Sequence, residues 1–184
     1  MVDQKRVAAA VTELLAAIGE DLTREGLANT PQKVGEAYAE LFKGVGVDPL
    51  SALDETYEAT EPSIVVMTGI DAISVCEHHL LPFTAKVDIA YLPSDRIVGL
   101  GRLPKLVDLL ASRPQIQERL TAEIADAIEV GLKAKAVLVK LEAKHDCVAV
   151  RSLRQQDAKI VTLEARGLYK DEAVRQEALS LISK

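Results

Sequence analysis

Apolar and polar residues follow two different periods along this chain of 184 residues, and the change of period divides it in two. Near the N-terminus, apolar residues recur every three or four positions and predict an amphipathic helix. This stripe consists of Val7, Val11, Leu14, Leu15 and Ile18. Thr30 and Pro31 predict the start of a second helix, as N-cap and first helical residue, and Gly44 predicts its end. Residues 45–62 show no periodicity and are predicted to be irregular.

Period-two patterns, which are typical of strands, begin after residue 62. Residues 64–67 form a short apolar run, and residues 83–92 alternate between apolar and more polar side chains. Two helical patterns follow at 103–112 and 115–132. The last predicted elements are strands at 136–143, 147–150 and 159–165 and a helix at about 171–182. Helices come first, and the strands and helices that follow are segregated along the chain, which predicts an α+β fold.

The amino-acid composition argues against some classes of binding partner. The chain carries 22 basic and 28 acidic residues, a net charge of −6, which argues against a general nucleic-acid surface. It has no tryptophan and only 3% aromatic residues, so platforms for base stacking are not expected. An anionic small molecule would therefore need a local cluster of cations. Glu13 interrupts the apolar N-terminal run, and no segment has the length of a membrane span, so we expect a cytoplasmic protein with reduced thiols.

All three histidines and both cysteines lie in two short clusters, residues 76–79 (CEHH) and 145–147 (HDC). Thiols and imidazoles bind zinc, and imidazoles move protons near neutral pH. Cys76 and His79 can reach one ion from a tight turn, and Cys147 could supply a third ligand. Such a set leaves a tetrahedral zinc ion with one open position, as in catalytic sites, where a bound water becomes acidic.

His78 and His145 are not needed as ligands and would suit proton transfer beside the metal. Three other interpretations stay open from the residues alone. Cys76 and Cys147 could form a disulfide, four of the five residues could form a closed structural zinc site, or buried cysteines and exposed histidines could lie together by coincidence. The spacing does not identify a substrate.

Several segments resemble the GTP cyclohydrolase I family. Residues 76–83, CEHHLLPF, are similar to its signature, and the resemblance extends from about residue 20 to the end of the chain. The other segments that carry it are Gly26-Leu27, Thr30-Pro31, Val98-Gly99-Leu100, residues 114–121 (PQIQERLT) and the His145-x-Cys147-x-x-x-Arg151 motif. Together these motifs are far more specific than the metal spacing by itself.

The resemblance implies a fold, an assembly and a reaction. The fold is a tunnelling fold, an antiparallel sheet with two helices that subunits pool into a barrel. It would occupy residues 61–184, after an N-terminal helical region at 1–60. Enzymes of that family are homodecamers with active sites at subunit interfaces. They use zinc to convert GTP and water into 7,8-dihydroneopterin triphosphate and formate, the first step of folate and pterin biosynthesis.

The resemblance also implies roles for single residues. The implied zinc ligands are Cys76, His79 and Cys147, and the implied catalytic residues are His78, His145 and Glu77. His145 would protonate the imidazole ring of guanine, and His78 would act near the ribose ring oxygen. Gln117 and Glu118 would read the guanine edge, since a carboxylate accepts hydrogen bonds from N1–H and the 2-amino group. On the residues alone, Glu118 could equally be an acid favoured by the positive end of a helix.

The implied triphosphate pocket departs from the family pattern. Its residues are Arg102, Lys105, Arg151 and Lys33. Gly101 replaces a common serine, Ser152 replaces a common glycine, and arginine and lysine are interchanged at positions 33, 102 and 105. Because arginine and lysine present different donors to phosphate, polyphosphate binding is expected while the number of phosphates stays open.

Three alternative functions stay open. A divergent paralogue could act on another purine nucleotide or stop at the ring-opened formamidopyrimidine. A same-fold relative could reduce a nitrile on a deazapurine with a cysteine nucleophile and no zinc, but the His78-His79 pair would then have no purpose. A non-enzymatic, zinc-stabilised assembly would leave no open position on the metal.

Overall fold

The computed structural model describes residues 1–60, 63–151 and 154–182. It contains two compact units, Met1–Gly46 and Val47–Lys184. The predicted boundary between residues 60 and 61 falls beside residues 61–62, which lie outside the described residues, as does Ser152. Within the described part of the chain, no helix is long and apolar enough to cross a membrane.

The first unit is a pair of packed helices. Helix α1 spans Gln4–Ala17, and the Asp3 side chain caps its first turn by accepting a backbone hydrogen bond (3.0 Å). Helix α2 spans Thr30–Leu41. Gly35 lets the two helices approach closely, because a Cβ at this position would lie 2.8 Å from the carbonyl oxygen of Gln4.

The ends of α2 differ from those predicted. Thr30 is the first helical residue and Asn29 is the N-cap, and the helix ends at Leu41 instead of continuing to Gly44. The Thr30 hydroxyl donates backwards to the carbonyl of Gly26 (3.4 Å), so it does not cap the helix. The predicted proline in the first turn is present.

The second unit is built on a mixed sheet. Its elements are a 3₁₀ helix at Pro49–Leu53, β1 (Thr56–Glu58), β2 (Val65–Cys76), β3 (Pro82–Leu92), β4 (Arg96–Val98), α3 (Arg102–Ala111), β5 (Pro114–Gln115), α4 (Gln117–Leu132), β6 (Ala136–His145), α5 (Asp146–Ala149), β7 (Ile160–Gly167), a 3₁₀ helix at Leu168–Lys170 and α6 (Glu172–Ile182). The main sheet has the order β5-β2-β3-β6-β7 and is antiparallel except for the β2–β5 pair, while β1 pairs separately with β4. The predicted α+β fold class is confirmed.

One face of this sheet forms the main core with α3 and α4. The alternation predicted for β3 is confirmed, because its apolar set is buried in this core. These residues are Phe83, Ala85, Val87, Ile89 and Tyr91. Helix α4 contributes most of its predicted stripe, from Leu120 through Ile124 and Ile128 to Leu132. Full burial of each such large apolar side chain stabilises the fold by roughly 1.5–3 kcal/mol.

Helix α6 covers only one end of the opposite face. There Ala178 and Ile182 pack against Ala90, Ala136 and Leu138. The uncovered end is lined by charged side chains, which are Asp71, Lys86, Glu142, Lys144 and Lys159. The sheet therefore has one apolar face inside the unit and a second face that is polar where α6 does not reach.

The strand predicted at 147–150 is wrong. Residues Asp146–Ala149 form a single helical turn, α5. Strand β6 pairs with β3 in a register that places His145 opposite Phe83, so the next residue of β6 would face Pro82. Because proline has no backbone N–H for a further ladder hydrogen bond, the strand ends there and the chain turns.

Two segments contain more regular structure than predicted. The region 45–62 includes a 3₁₀ helix and β1, and β2 continues to Cys76, well beyond the predicted end at residue 67. A register shift between Met67 and Ile70 interrupts the period-two pattern of β2. Because of this irregularity, a period-two pattern does not predict the second half of the strand.

We expect Gly167→Ala to destabilise the second unit strongly. Gly167 has a φ of +57°, and an added Cβ would lie 2.1 Å from the carbonyl oxygen of Lys135. Backbone strain and steric overlap act in the same direction, so the free energy of unfolding should fall by about 3 kcal/mol or more. At Gly99 a Cβ would meet ordinary contacts at 3.6 and 3.7 Å, so the control Gly99→Ala should cost less than about 1 kcal/mol. Chemical denaturation measures both, and equal stability of the two variants would contradict this geometry.

Candidate metal centre and active site

Strand pairing brings the two Cys/His clusters together. Strand β2 ends at Cys76, a turn at 77–81 follows, and β3 begins at Pro82. In the β3–β6 pair, Phe83 lies opposite His145, and their rings stack with centroids 4.5 Å apart and planes inclined at 14°. The end of β6 therefore delivers the second cluster to the turn that carries the first.

Cys76, His79 and Cys147 form one compact group of donor atoms. Their thiol sulfurs and the imidazole nitrogen all lie within 4.8 Å of one another. Ligands of a tetrahedral zinc ion lie about 3.5–3.8 Å apart, given bond lengths of about 2.0–2.3 Å, so a small contraction would enclose an ion. Cys76 is buried, Cys147 is half-buried and His79 is exposed, which places the group at the protein surface.

The electrostatics of the two thiols also suit a cation. Burial raises the pKa of the Cys147 thiol, and the neighbouring Cys76 thiol raises it further. Two thiolates this close repel each other, whereas a divalent cation between them favours both ionised forms. Both cysteines are free thiols in the structure and are not joined as a disulfide. The residues present therefore fit a zinc ion.

Backbone hydrogen bonds define the turn between the first two predicted ligands. The Leu80 N–H donates to the Cys76 carbonyl (2.8 Å), and the Cys76 N–H donates to the Leu81 carbonyl (2.8 Å). Leu80 has a φ of +52°, in the left-handed region that a leucine rarely adopts. The chain thus reverses within a few residues while the donor atoms of Cys76 and His79 stay close together.

His145 lies beside the donor group, in surroundings that are partly apolar and partly charged. Its ring is half-buried against Phe83, and its Nδ1 is buried with no hydrogen-bond partner among the described residues. Burial lowers the pKa of His145, while the Glu118 carboxylate acts in the opposite direction. An imidazole that is neutral near pH 7 can accept a proton and return it, as proton transfer requires.

His78 is exposed on the turn, next to the donor group. Its Nδ1 lies 3.9 Å from the Cys76 sulfur, and its ring meets that of His79 edge-on with centroids 6.3 Å apart. It is therefore close to the metal centre without belonging to the compact group of donors. That position is compatible with the catalytic role suggested by its sequence motif, which stays a prediction.

Two adjacent residues at the start of α4 have different surroundings. Glu118 is exposed in the first helical turn, and its carboxylate acts electrostatically on His145. Gln117 is only 2% exposed, and its Nε2 donates to the backbone carbonyls of Leu141 (3.1 Å) and Ile160 (3.0 Å). The structure thus brings Glu118 near His145 but encloses the Gln117 side chain between α4 and the sheet. The guanine contacts of both stay predictions.

The predicted phosphate-binding residues of α3 lie away from the metal centre of their own chain. Arg102 begins the helix and pairs with Asp54 (3.2 Å) and Glu55 (2.6 Å). The other end of α3 is nearer to the centre, because the Ala111 carbonyl accepts a hydrogen bond from Ser74 (2.7 Å), close to the end of β2. At 1.5 Å per residue, Arg102 lies about 14 Å along the helix from that end.

The other predicted cations have varied positions. Arg151 is exposed after α5, and its charge acts on the Cys147 thiol, so it lies near the metal centre. Lys105 is exposed in the first turn of α3, and Lys33 is exposed on α2 of the first unit. Of the three predicted cations in the second unit, Arg151 is the one that the structure brings to the metal centre.

Comparison with known proteins identifies the family. A model of the family described as GTP cyclohydrolase I matches residues 7–183. The chain belongs to the GTP cyclohydrolase I family. The GTP cyclohydrolase 1 of Leifsonia xyli subsp. xyli (strain CTCB07) is 50% identical over 182 residues, which cover 98% of this chain and 95% of the relative. The GTP cyclohydrolase 1 of Streptococcus pyogenes serotype M49 (strain NZ131) is 44% identical over 185 residues, which cover 100% and 95%.

The prediction that this chain is an enzyme of the GTP cyclohydrolase I family is thereby confirmed. Among solved structures, the crystal structure of the archaeosine synthase QueF-Like in the apo form has a TM-score of 0.49 and 17% sequence identity. That similarity covers 59% of this chain and 97% of the other.

Two residues that the sequence did not indicate, Arg119 and Gln115, hold the turn that carries the predicted ligands Cys76 and His79. Arg119 on α4 donates to the Glu77 carboxylate, and the Gln115 carbonyl accepts a hydrogen bond from the Glu77 N–H (3.0 Å). The bond from Arg119 lowers the pKa of the Glu77 carboxyl. Glu77 and Arg119 are 42 positions apart, and no local pattern indicates that they meet. The catalytic role of Glu77 stays a prediction.

Neighbouring histidines provide a matched test of the metal centre. Purified protein should carry about one zinc ion per chain. His79→Ala removes a ligand and should lose most of this zinc, whereas His78→Ala, one position away and also exposed, should keep it. Elemental analysis of dialysed protein measures the content. Full occupancy in His79→Ala would remove His79 from the set of ligands.

Proposed function

We propose that this protein is a zinc-dependent GTP cyclohydrolase I, which converts GTP and water into 7,8-dihydroneopterin triphosphate and formate in the first step of folate and pterin biosynthesis. The proposal depends chiefly on the convergence of Cys76, His79 and Cys147, with His145 beside them, in a chain whose family match spans residues 7–183. When bound, zinc would supply Lewis-acid chemistry to this centre. Thiolate ligands need a reducing compartment, so a cytoplasmic location belongs to the same proposal.

The chain's own residues would divide the remaining tasks. His145 has a lowered pKa, and its Nδ1 has no hydrogen-bond partner among the described residues, so it would take and return a proton at the imidazole ring of guanine. His78, on the exposed turn, would act at the ribose ring oxygen during ring opening. Glu118 would accept hydrogen bonds from the N1–H and 2-amino groups of guanine, which adenine lacks.

We further propose that the complete site requires a homo-oligomer, a decamer by resemblance to the family. Helix α3 carries Arg102 and Lys105 at the end remote from its own metal centre, so these cations would serve the centre of a neighbouring copy. The edge strand β7 supports such an assembly. It exposes Ile160, Val161 and Leu163, and its outer backbone edge has no partner strand within the described residues.

A second candidate is a paralogue that acts on another purine nucleotide or stops at the ring-opened formamidopyrimidine. The observation that favours it is the altered phosphate segment, where Gly101 and Arg102 replace the family's common serine and lysine. In this chain Arg102 is already paired with Asp54 and Glu55, so a phosphate would have to compete with two carboxylates. Hydrogen bonds between charged groups are stronger than those to neutral partners, so these two carboxylates would oppose phosphate binding at Arg102.

Incubation with GTP distinguishes the candidates. The zinc-loaded oligomer should release one formate for each GTP consumed, together with a pterin that becomes fluorescent on oxidation. His145→Ala should retain zinc but react about a hundredfold or more slowly, because a group that transfers protons is lost. Accumulation of the ring-opened formamidopyrimidine would favour the second candidate. Intact GTP after prolonged incubation of the zinc-loaded oligomer would contradict the first candidate and would leave, of the second, only a paralogue that acts on another purine nucleotide.

The phosphate pocket is tested at Arg151, the predicted cation beside the metal centre. A charge-assisted contact contributes about 1.5–3 kcal/mol, so Arg151→Ala should raise KM for GTP about 10- to 150-fold with little change in zinc content. Arg154→Ala, an exposed arginine of the same segment, is the control and should leave KM nearly unchanged. Steady-state kinetics with GTP and guanosine measure both effects. Equal kcat/KM for guanosine and GTP in the parent enzyme would rule out the phosphate pocket.

A further inference from the structure

The turn that carries Cys76 and His79 has little apolar packing of its own. Residues 77–80 are all exposed, and Cys76 is the buried residue that anchors its start. Leu80 adds a left-handed conformation, which costs a non-glycine residue free energy. Burial therefore does not explain why the turn keeps the two donor atoms close together, and its order must depend on specific hydrogen bonds.

Strand β5 supplies the first of these hydrogen bonds. It pairs in parallel with the last two residues of β2, placing Gln115 beside Cys76. The Gln115 carbonyl accepts from the Glu77 N–H (3.0 Å), one residue into the turn. The Gln115 side chain is 1% exposed, and its Nε2 donates to the Leu110 carbonyl (3.2 Å) and to Glu123 (2.8 Å). Gln115 is thus fixed to α3 and α4 while its backbone holds the turn.

Helix α4 supplies the second attachment through one arginine. Arg119 Nε donates to the Gln115 side-chain oxygen (2.9 Å), and its Nη2 donates to the Glu77 carboxylate. The same Nη2 also lies 3.3 Å from the Pro114 carbonyl. The planar guanidinium therefore contacts β5 and the turn at the same time. The ammonium group of a lysine lacks this fixed arrangement of donors. We call Glu77, Gln115 and Arg119 the turn clamp.

The solvent exposure of the Arg119–Glu77 pair indicates that the clamp has a local effect. The Arg119 and Glu77 side chains are 41% and 34% exposed, and ion pairs so open to solvent add little to global stability. The effect of this pair is local, because Glu77 lies between the predicted ligands Cys76 and His79. Ordering the turn before the ion arrives lowers the conformational entropy that metal binding must overcome.

We propose that Arg119, acting through Gln115 and Glu77, is a positioning residue that holds the 76–79 turn ready for the metal ion. Glu77 then acts by tethering the turn to α4, without touching the substrate. The inference rests on the metal centre of the proposed function and extends it to residues outside the set of ligands.

Zinc affinity of the purified apo protein tests the clamp without reference to turnover. Competition with a chromophoric chelator should show about tenfold or more weaker binding for Arg119→Met, in the range typical of residues that support metal ligands. Glu77→Gln should weaken binding similarly, and the double variant should be little worse than either single one, because both remove the same tether. Arg119→Lys keeps the charge but not the fork and should recover only part of the affinity.

Arg166→Met is the matched control. Arg166 also pairs with a carboxylate of α4, Asp126 (2.6 Å), but it reaches that helix from β7 and does not contact the turn. Its zinc affinity should stay within about twofold of the parent, and thermal unfolding of the apo proteins should show that all variants fold. Parental affinity in folded Arg119→Met, an equal loss in Arg166→Met, or additive losses at Glu77 and Arg119 would overturn the clamp. A parent protein that binds no zinc would instead overturn the metal centre itself.

Discussion

The pairing of β3 with β6 holds together the two sequence clusters that form the candidate metal centre. The register runs without interruption from Phe83–His145 to Leu92–Ala136. The same register places the apolar residues of β3 in the core under α3 and α4. A slip of one residue would turn these side chains to the opposite face, so burial of the core fixes the register very strongly. The distance between the two Cys/His clusters is therefore set by the packing of the core, and does not depend on a bound metal ion.

The residues around the end of the β3–β6 pair have different chemical properties. Burial of Cys147 beside Cys76 disfavours two thiolates and favours a bound cation. Stacking against Phe83 removes His145 partly from water and keeps its ring neutral near pH 7. At the start of α4, Gln117 ties the helix to the backbone of β6 and β7, while Glu118 next to it remains exposed near His145. The start of α4 thus contributes both to the fold and to the candidate site.

Sequence patterns predicted the parts of the molecule that depend on local periodicity or residue type. Alternation predicted the strand at 83–92, and the helical spacing of apolar residues predicted the helix stripe through Ile124. The clustering of rare thiols and imidazoles predicted the donor group. The 147–150 segment was mispredicted because its apolar residues match a strand, whereas the strand is ended by Pro82 on its neighbour. The Glu77–Arg119 contact could not be predicted, since it depends on how α4 packs beside a turn 42 positions away. The ion pairs of Arg102 escaped prediction for the same reason, because Asp54 and Glu55 lie far from it in sequence.

The central claim is that two cysteines and one histidine bind a zinc ion that keeps an open position. X-ray absorption at the zinc edge of the purified protein tests it directly. We predict two sulfur ligands at about 2.3 Å, one imidazole nitrogen at about 2.0–2.1 Å and one further light atom that is not contributed by the protein. A zinc ion with four protein ligands, or one without sulfur in its coordination sphere, would contradict the account.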